Sequence, residues 1–449
     1  MISDLKELIE DYEQKGMLAH IRRQVSSEYE AMAVLKKTKG AVPICFDRID
    51  SYSCRTVTGM GGTRRLLAAS MGIGPEDLRE HLTNAIIHPI PVTKVPAGRC
   101  QEKIMLAPFA LDQFFPVFRH YERDNGRFVI SGMMVAKNPE GSRVYTSIRR
   151  MHYLGGNKMT LLITSNEMKE QLEYFNRLKK PMEIALMFGL VPAVILGSQL
   201  STYLYHANKL DVSGALLGKS LKVAACKTID LEVLSEAQVV LEGKVYPWEL
   251  QSEGPFGEMA YYYGRVAELP VCEFTCMSFQ ENPVWHTFFP SGREEKLPMA
   301  IAREVNLYQT VSMTVPNVKE VHITMGGQGR FHAVIKIAKR TEGDAKQAAL
   351  AAFASDRDLK HVAVVDEDVD IFDPEDVEWA IATRVQADRD VFILSGASGS
   401  LLEASHLLHN TTAKVGIDAT CPLGDNRFLR TKIPGEEKID LGDYLEGSR

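Results

Sequence analysis

Hydrophobic residues near the start of the chain recur with the period of an α-helix. One helical face collects the apolar positions Leu5, Leu8, Ile9 and Tyr12. Ser3 or Asp4 can cap the N-terminus of this helix, and Gly16 can end it. The pattern therefore predicts an opening amphipathic helix.

From residue 41 to about residue 282 the pattern becomes strand-like, with short β-branched and aromatic runs. Such runs occupy residues 127–134, 159–164, 239–242 and 269–279. Helical periodicity interrupts them at residues 167–178 and 212–217. This composition predicts a β-rich domain, such as a barrel, with peripheral helices.

A long amphipathic segment follows, with Leu297, Ile301, Val305 and Tyr308 on one stripe and Pro298 near its first turn. Strands then alternate with helices at residues 334–337, 345–354, 361–365 and 374–383. That alternation is typical of a smaller α/β domain. We therefore predict an α/β (α+β) protein with a β-rich domain over residues 1–295, a connecting helix over 296–315 and an α/β oligomerisation domain over 316–449.

The composition of the chain limits the classes of binding partner to expect. The 449 residues are 45% hydrophobic and 24% charged, with a formal net charge of −6, as in an ordinary globular protein. The negative charge gives no general attraction to nucleic acid or to an anionic membrane, so neither is expected as a partner. The seven cysteines lack metal-ligand spacing and suggest reduced core thiols in a cytoplasmic protein. An anionic substrate would need a local basic pocket.

The segment Glu253-Gly-Pro-Phe-Gly-Glu258 is the most informative for chemistry. Its glycines permit positive φ and its proline fixes φ, so both acids can lie on one side of a stiff turn. Neighbouring charges can then separate the two carboxyl pKa values, as general acid–base catalysis requires. Acids beside such a turn are also common as solvated loop residues.

Further motifs accompany this turn in a fixed order. They are Ser147-Ile-Arg-Arg150, Met187-Phe-Gly189, Pro192-Ala193, Gly214-Ala-Leu-Leu-Gly218, Leu241-Glu-Gly243, residues 368–372, Trp379-Ala-Ile-Ala-Thr-Arg384 and residues 414–420. Together with the turn, this set resembles the UbiD family of decarboxylases, which depend on prenylated FMN. The resemblance spans nearly the whole chain and implies that the β-rich domain is a split barrel that binds the cofactor.

The resemblance implies three catalytic residues, Arg150, Glu253 and Glu258. Arg150 would pair with the acids and orient a substrate carboxylate, because a guanidinium binds carboxylates bidentately. Glu258 would protonate the carbon after carbon dioxide leaves, and Glu253 would hold Arg150 in place. The implied reaction is a reversible, non-oxidative decarboxylation in which the prenylated flavin takes up electrons.

The family pattern also places Ser147 and the Ile148 backbone beside the flavin, and Lys414 at its phosphate. Many relatives bridge that phosphate with Mn²⁺ or Mg²⁺, with K⁺ as a further ion. This chain departs from the ligand set, because Tyr145, Glu167 and Gln238 stand at the three metal positions. Tyrosine and glutamine suit these ions poorly. Three alternatives remain open: a different ion site with Glu167 and Gln238 as ligands, a phosphate held by protein groups alone, or no binding of the mature cofactor.

Substrate choice is less determined. His286, Arg293, Arg303 and Arg330 could bind a second carboxylate, which suits the conversion of furan-2,5-dicarboxylate to 2-furoate. The same arginines could instead make ion pairs between domains. Two other functions stay open: a subunit of a multi-component aromatic carboxylase, and a decarboxylase of a phosphorylated isoprenoid acid. The resemblance further implies a separate flavin prenyltransferase as cofactor supplier and assembly into a homo-oligomer, a dimer or a hexamer.

Overall fold

The structure is a computed structural model that describes residues 2–163, 165–201, 207–406, 411–439 and 444. The chain divides into two compact units. The first contains Met1–Asn306, Ile323–Phe331 and Gly399–Asn410, and the second contains the rest. The first unit therefore includes two short segments from the C-terminal third of the chain.

Helices of the first unit carry the apolar stripes seen in the sequence. They are α1 Leu5–Gln14, α2 Glu30–Lys37, α3 Arg64–Met71, α4 Leu78–Ile87, α5 Asn166–Arg177, α6 Pro192–Ser198 and α7 Lys209–Leu216. A further helix, α8 Arg293–Thr314, belongs to this unit as far as Asn306. The Asp4 side chain caps α1 by accepting a hydrogen bond from the Lys6 amide. The helix buries Leu5, Leu8, Ile9 and Tyr12, as predicted.

The strands of the first unit form three sheets. They are β1 Ala19–Ile21, β2 Ile44–Phe46, β3 Thr56–Thr58, β4 Thr93–Val95, β5 Lys103–Leu106, β6 Phe128–Lys137, β7 Val144–Gly155, β8 Lys158–Thr160, β9 Met182–Phe188, β10 Lys222–Ala225, β11 Glu232–Leu234, β12 Val239–Glu253, β13 Ala267–Phe279 and β14 Trp285–His286. The largest sheet has the order β12-β9-β6-β7-β8-β13-β5, and an additional β12–β13 pairing closes six of these strands into a barrel. The predicted α/β fold with a β-rich barrel is confirmed.

Two apolar cores of the first unit lie against the barrel strands. One contains barrel residues such as Leu186, Phe188 and Phe274. The other joins α1, α3, α6 and α7 to barrel residues such as Val135 and Val240. Because side chains alternate across a strand, β6 and β9 contribute to both cores, and the helices cover one outer face of the barrel.

The second unit is built on one five-stranded sheet with the order β15-β16-β17-β19-β18. Its elements are β15 Val318–Ile323, β16 His332–Ile337, α9 Asp344–Ser355, β17 His361–Val365, α10 Pro374–Arg384, α11 Ala387–Asp390, β18 Val391–Ser398 and β19 Thr411–Ala419. β16, β17 and β19 run parallel, whereas β18 is antiparallel to β19. The strand–helix alternation predicted for this part of the chain is present.

All seven cysteines are free thiols. Burial raises the pKa of Cys45 and Cys100 to about 12, so these side chains are protonated near neutral pH. Within the described ranges, no helix combines the length and the apolar character that a membrane span needs.

Candidate active site

Two barrel strands bring Arg150 and Glu253 together. Arg150 lies on β7, and Glu253 is the last residue of β12. The Nε and Nη2 atoms of Arg150 donate to Oε1 of Glu253 at 3.1 and 2.8 Å, and Nη1 donates to Oε1 of Glu258 at 2.5 Å. The structure therefore assembles the three side chains that the family pattern predicts as catalytic.

Glu253 is fully buried and has donors on both carboxylate oxygens. Its second oxygen accepts a hydrogen bond from the hydroxyl of Thr160, the last residue of β8. A buried carboxylate without such donors would be strongly destabilised, so Thr160 and Arg150 together fix its position. Glu253 is thus a structural anchor for the arginine.

Glu258 differs from Glu253 in exposure and in partners. Its side chain is 23% exposed, whereas that of Glu253 is 0% exposed. Within the described part of the chain, Oε2 of Glu258 has no hydrogen-bond partner. One carboxylate oxygen can therefore face a substrate while the other stays bonded to Arg150, which suits a proton donor.

The loop between β12 and β13 holds Glu258 rigidly. The Gly257 amide donates to Oδ1 of Asp124 at 2.9 Å, and the Ser291 hydroxyl donates to the Glu258 carbonyl at 2.8 Å. Gly257 lies so close to the Tyr121 ring that a Cβ there would meet Cδ2 at 2.1 Å. Gly254 has a φ of +100°, which only glycine adopts readily.

Charges around the site follow from burial and ion pairing. Burial opposes the charge of Arg150, but Glu258 and Glu253 outweigh it and raise the pKa of the guanidinium. The Arg150 guanidinium also lies 4.5 Å from the centre of the Phe256 ring, within cation–π range. Burial lowers the pKa of His152 on β7, so this imidazole is neutral near pH 7.

The predicted flavin neighbours Ser147 and Ile148 also lie on β7, half-buried, and Ile148 packs against the core shared with the helices. Lys414 lies in the second unit, on β19. Its ammonium donates to the carbonyls of Arg357 and Leu359 at 2.9 and 2.8 Å. A phosphate-binding role for Lys414 stays a prediction, and these contacts do not favour it.

The three predicted metal positions are occupied by side chains with other partners. Glu167 pairs with Arg143 at 2.6 Å and accepts a hydrogen bond from the Tyr145 phenol, whose pKa is raised by burial. Oε1 of the buried Gln238 accepts from the Val284 amide at 3.2 Å. This donor set does not fit Mn²⁺ or Mg²⁺, because the phenol is protonated and the amide oxygen is already bonded. Metal binding at Glu167 and Gln238 stays a prediction that the contacts do not favour.

Lys209 was missed in the sequence. It begins α7, and its ammonium donates to the carbonyls of Thr146 on β7 and Ser198 in α6 at 2.9 and 2.7 Å. Burial and the nearby Arg149 charge lower its pKa, Glu167 opposes them, and the resulting pKa is about 8. Burial also lowers the pKa of Arg149 to about 10. Two part-buried cations are chemically suited to an anion such as a flavin phosphate.

The four predicted substrate-binding residues have unequal surroundings. Nε2 of His286 lies 3.0 Å from Oε1 of the buried Glu294. Arg293, at the start of α8, is half-buried, and its guanidinium makes no hydrogen bond or ion pair with any residue the structure describes. Arg303 is half-buried in α8, and Arg330 contacts the Met299 sulfur at 3.8 Å. Arg293 is therefore the most available of the four for a substrate anion.

Lys296 is a further basic residue that sequence reasoning missed. Its ammonium lies 4.6 Å from the centre of the Tyr261 ring, bonds to Gln328, and has a pKa lowered by burial to about 8. No motif marked Lys209 or Lys296 in the sequence, because each depends on contacts between distant segments.

Comparison with known proteins places this site in a family. The chain matches the UbiD 3-octaprenyl-4-hydroxybenzoate carboxy-lyase N-terminal domain over residues 9–86, its Rift-related domain over 92–293 and its C-terminal domain over 296–419. The chain therefore belongs to the UbiD family. It is a carboxy-lyase of that type.

Individual relatives agree with the family assignment. Anhydromevalonate phosphate decarboxylase from Methanothermobacter thermautotrophicus is 32% identical, over 91% of this chain and 96% of that protein. The UbiD-class enzyme HmfF from Pelotomaculum thermopropionicum, solved in complex with FMN, is 41% identical over 98% of this chain and 100% of that chain, with a TM-score of 0.95. Vanillic acid decarboxylase from Sedimentibacter hydroxybenzoicus in open form is 26% identical over 97% of both chains, with a TM-score of 0.87.

Proposed function

We propose that the chain catalyses the reversible, non-oxidative decarboxylation of an unsaturated or heteroaromatic acid with prenylated FMN as its cofactor. The observation that carries this proposal is the direct bonding of Arg150 to both Glu253 and Glu258. Structures of HmfF with FMN and of its evolved dimeric form with prenylated FMN support the choice of cofactor. When bound, prenylated FMN supplies an electron sink for the bond that breaks as carbon dioxide leaves.

Residues of the chain bind the substrate, transfer the proton and limit the access of water. Arg150 binds the substrate carboxylate with donors aimed by Glu253, so the leaving group is oriented before the bond breaks. Glu258 donates the proton that replaces carbon dioxide on the carbon, and in the reverse direction it accepts that proton. Phe256 and the Tyr121 ring limit water around these groups, which strengthens their electrostatic interactions.

We propose that the substrate carries a second anionic group. Arg293 supports this, because it is half-buried and its charge lacks a partner within the described residues. A planar diacid such as furan-2,5-dicarboxylate, which would yield 2-furoate, is the first candidate. A phosphorylated isoprenoid acid is the second, since curated relatives at 32–39% identity are named anhydromevalonate phosphate decarboxylase.

The catalytic roles are tested by replacing Glu258 with Gln in protein produced together with a flavin prenyltransferase. We expect at least about a hundredfold lower rates of decarboxylation and of deuterium exchange at the vacated carbon, since general acid catalysis contributes about 10²–10⁴-fold. The visible spectrum of the bound cofactor should persist. Glu268→Gln, which removes an exposed carboxylate on β13, should keep the wild-type rate.

Substrate class is tested by a panel in the same exchange assay. We expect diacids or phosphorylated acids to exchange at least about tenfold faster than monoacids of the same skeleton, and Arg293→Met to remove this preference. A spectrum of bound prenylated FMN without turnover of any acid would instead favour a subunit of a multi-component carboxylase. Homo-oligomer assembly is a further proposal, which light scattering of the purified protein would test.

A further inference from the structure

A cation site on β7 lies apart from the Arg150 network. The Lys209 ammonium is tied to the Thr146 carbonyl at 2.9 Å and to the Ser198 carbonyl at 2.7 Å. An ammonium has three donors, and among the residues the structure describes only these two accept from it. Among the described residues, the third donor is therefore left for an acceptor such as a bound anion.

The electrostatic surroundings of Lys209 favour an anion. Arg149 adds a second positive charge nearby, and together with burial it lowers the pKa of Lys209 to about 8. Among the described residues, Glu167 is the carboxylate that raises the pKa of Lys209, and it also pairs with Arg143. A phosphate beside Lys209 would add negative charge to a site where two cations lie close together.

β7 links this site to the catalytic arginine. Thr146, whose carbonyl holds Lys209, precedes Arg150 by four residues, a separation of about 13 Å along an extended strand. In an FMN-type cofactor the ribityl chain separates the ring from the phosphate. One strand can therefore present Arg150 near the ring and the Lys209 site near the phosphate.

We infer that the Lys209 ammonium, held by the backbone carbonyls of Thr146 and Ser198, binds the phosphate of the flavin without a bridging divalent metal ion. This inference rests on the proposed function for the identity of the cofactor. The side chains at the predicted metal positions support it, because Tyr145, Glu167 and Gln238 bond to one another or to the backbone instead of forming an oxygen cage. A fixed ammonium provides a positive charge for the phosphate in place of the ion.

The test compares FMN with riboflavin, which lacks the phosphate, by fluorescence titration of the cofactor-free protein. Wild-type protein should bind FMN at least about tenfold more tightly than riboflavin, as a charge-assisted hydrogen bond predicts. Lys209→Met should remove this difference by lowering the affinity for FMN and leaving the affinity for riboflavin unchanged. The matched control Lys169→Met removes an exposed lysine from α5 and should change neither affinity.

Metal dependence is measured in the same titration. EDTA, or added Mn²⁺ or Mg²⁺, should change the FMN affinity of the wild-type protein by less than about twofold, whereas bridging by an ion would make affinity depend on it. If Lys209→Met does not fold, Lys209→Gln, which can still donate to both carbonyls, is measured in its place.

Three results would overturn the inference. The wild type could bind FMN and riboflavin with equal affinity, or the Lys209 variant could lose affinity for both ligands equally. FMN binding could also require a divalent ion. None of these results depends on turnover. Failure of the phosphate site is therefore distinguishable from failure of the proposed decarboxylation, which the Glu258 variants test.

Discussion

At the residue scale, the chemistry of the site depends on how completely each carboxylate is bonded. Glu253 and Glu258 come from one short sequence motif, yet only Glu258 keeps an exposed side chain and an oxygen open to a substrate. The motif identified both acids but could not assign their burial. Thr160, which completes the bonding of Glu253, carried no signal in the sequence because it belongs to another strand.

Replacing Thr160 with Val should lower both stability and activity. The substitution removes the hydroxyl that donates to Glu253 and leaves a buried carboxylate oxygen without that donor, at a cost of about 1–3 kcal/mol in the free energy of unfolding. Urea denaturation would measure the loss. Thr160→Ser keeps the hydroxyl and should retain most of the stability; equal losses in both variants would assign the effect to packing.

The depressed pKa of Lys209 predicts a pH dependence of FMN binding. The ammonium of the cofactor-free protein begins to lose its proton near pH 8, so FMN affinity should be nearly constant around pH 7 and fall as pH rises through about 8. Binding of the phosphate raises the pKa of Lys209 in the complex, so the fall continues until pH passes that raised value. Riboflavin affinity should stay flat over the same range.

Lys209→Arg is the control for this titration, because arginine keeps its charge throughout the range. Its FMN affinity, whatever its absolute value, should not fall between pH 8 and 9.5. A parallel decline in the arginine variant would assign the pH dependence to another group.

At the element scale, long barrel strands and a short loop with glycines position different catalytic residues. β7 and β12 set the separation of Arg150 and Glu253, whereas the loop after β12 supplies Glu258. Hydrophobic periodicity predicted only the first residues of β12, 239–242, although the strand continues to Glu253. It did not predict β7, whose residues 147–150 were singled out only by the family resemblance. The second half of β12 has exposed positions and therefore lacks an apolar pattern.

Gly257→Ala should impair catalysis while leaving the fold intact. The new methyl group would meet the Tyr121 ring at 2.1 Å, and that ring is fixed because its hydroxyl donates to the Pro290 carbonyl at 2.7 Å. The Glu258 loop must shift, and displacement of a catalytic group by about 1 Å costs on the order of a hundredfold in kcat.

Circular dichroism should match the wild type for Gly257→Ala, and kcat for carbon dioxide release should fall. Gly326→Ala is the control, because nothing lies within 4 Å of its added Cβ. A wild-type kcat for Gly257→Ala would show that the loop position does not limit the reaction.

At the scale of the whole molecule, the chain forms two units whose sequence patterns differ. The change from strand-rich to alternating strand and helix was visible in the sequence, and it corresponds to the five-stranded sheet of the second unit. The sequence did not indicate that Ile323–Phe331 belongs to the first unit. That segment joins the first unit through contacts such as the bond of Gln328 to Lys296, which are remote in sequence.

Lys414→Met tests whether the second unit contributes to cofactor binding. The structure gives this lysine two carbonyl partners on the connection between α9 and β17, and their loss should destabilise that region by about 1–3 kcal/mol. Hydrogen exchange of the β17 and β19 amides should accelerate. FMN affinity should change by less than about twofold, whereas a large fall would support the phosphate role implied by the family pattern.

The three catalytic groups differ in how firmly the fold holds their side chains. Arg150 belongs to a strand inside a closed barrel, so its geometry is established when the protein folds and needs little rearrangement on each turnover. Glu258 lies on the connection between β12 and β13, and its side chain is partly exposed. Any small displacement needed to deliver a proton, and then to let a product leave, is therefore assigned to the part-exposed Glu258 side chain on its fixed loop backbone, while Arg150 keeps its ion pair with Glu253.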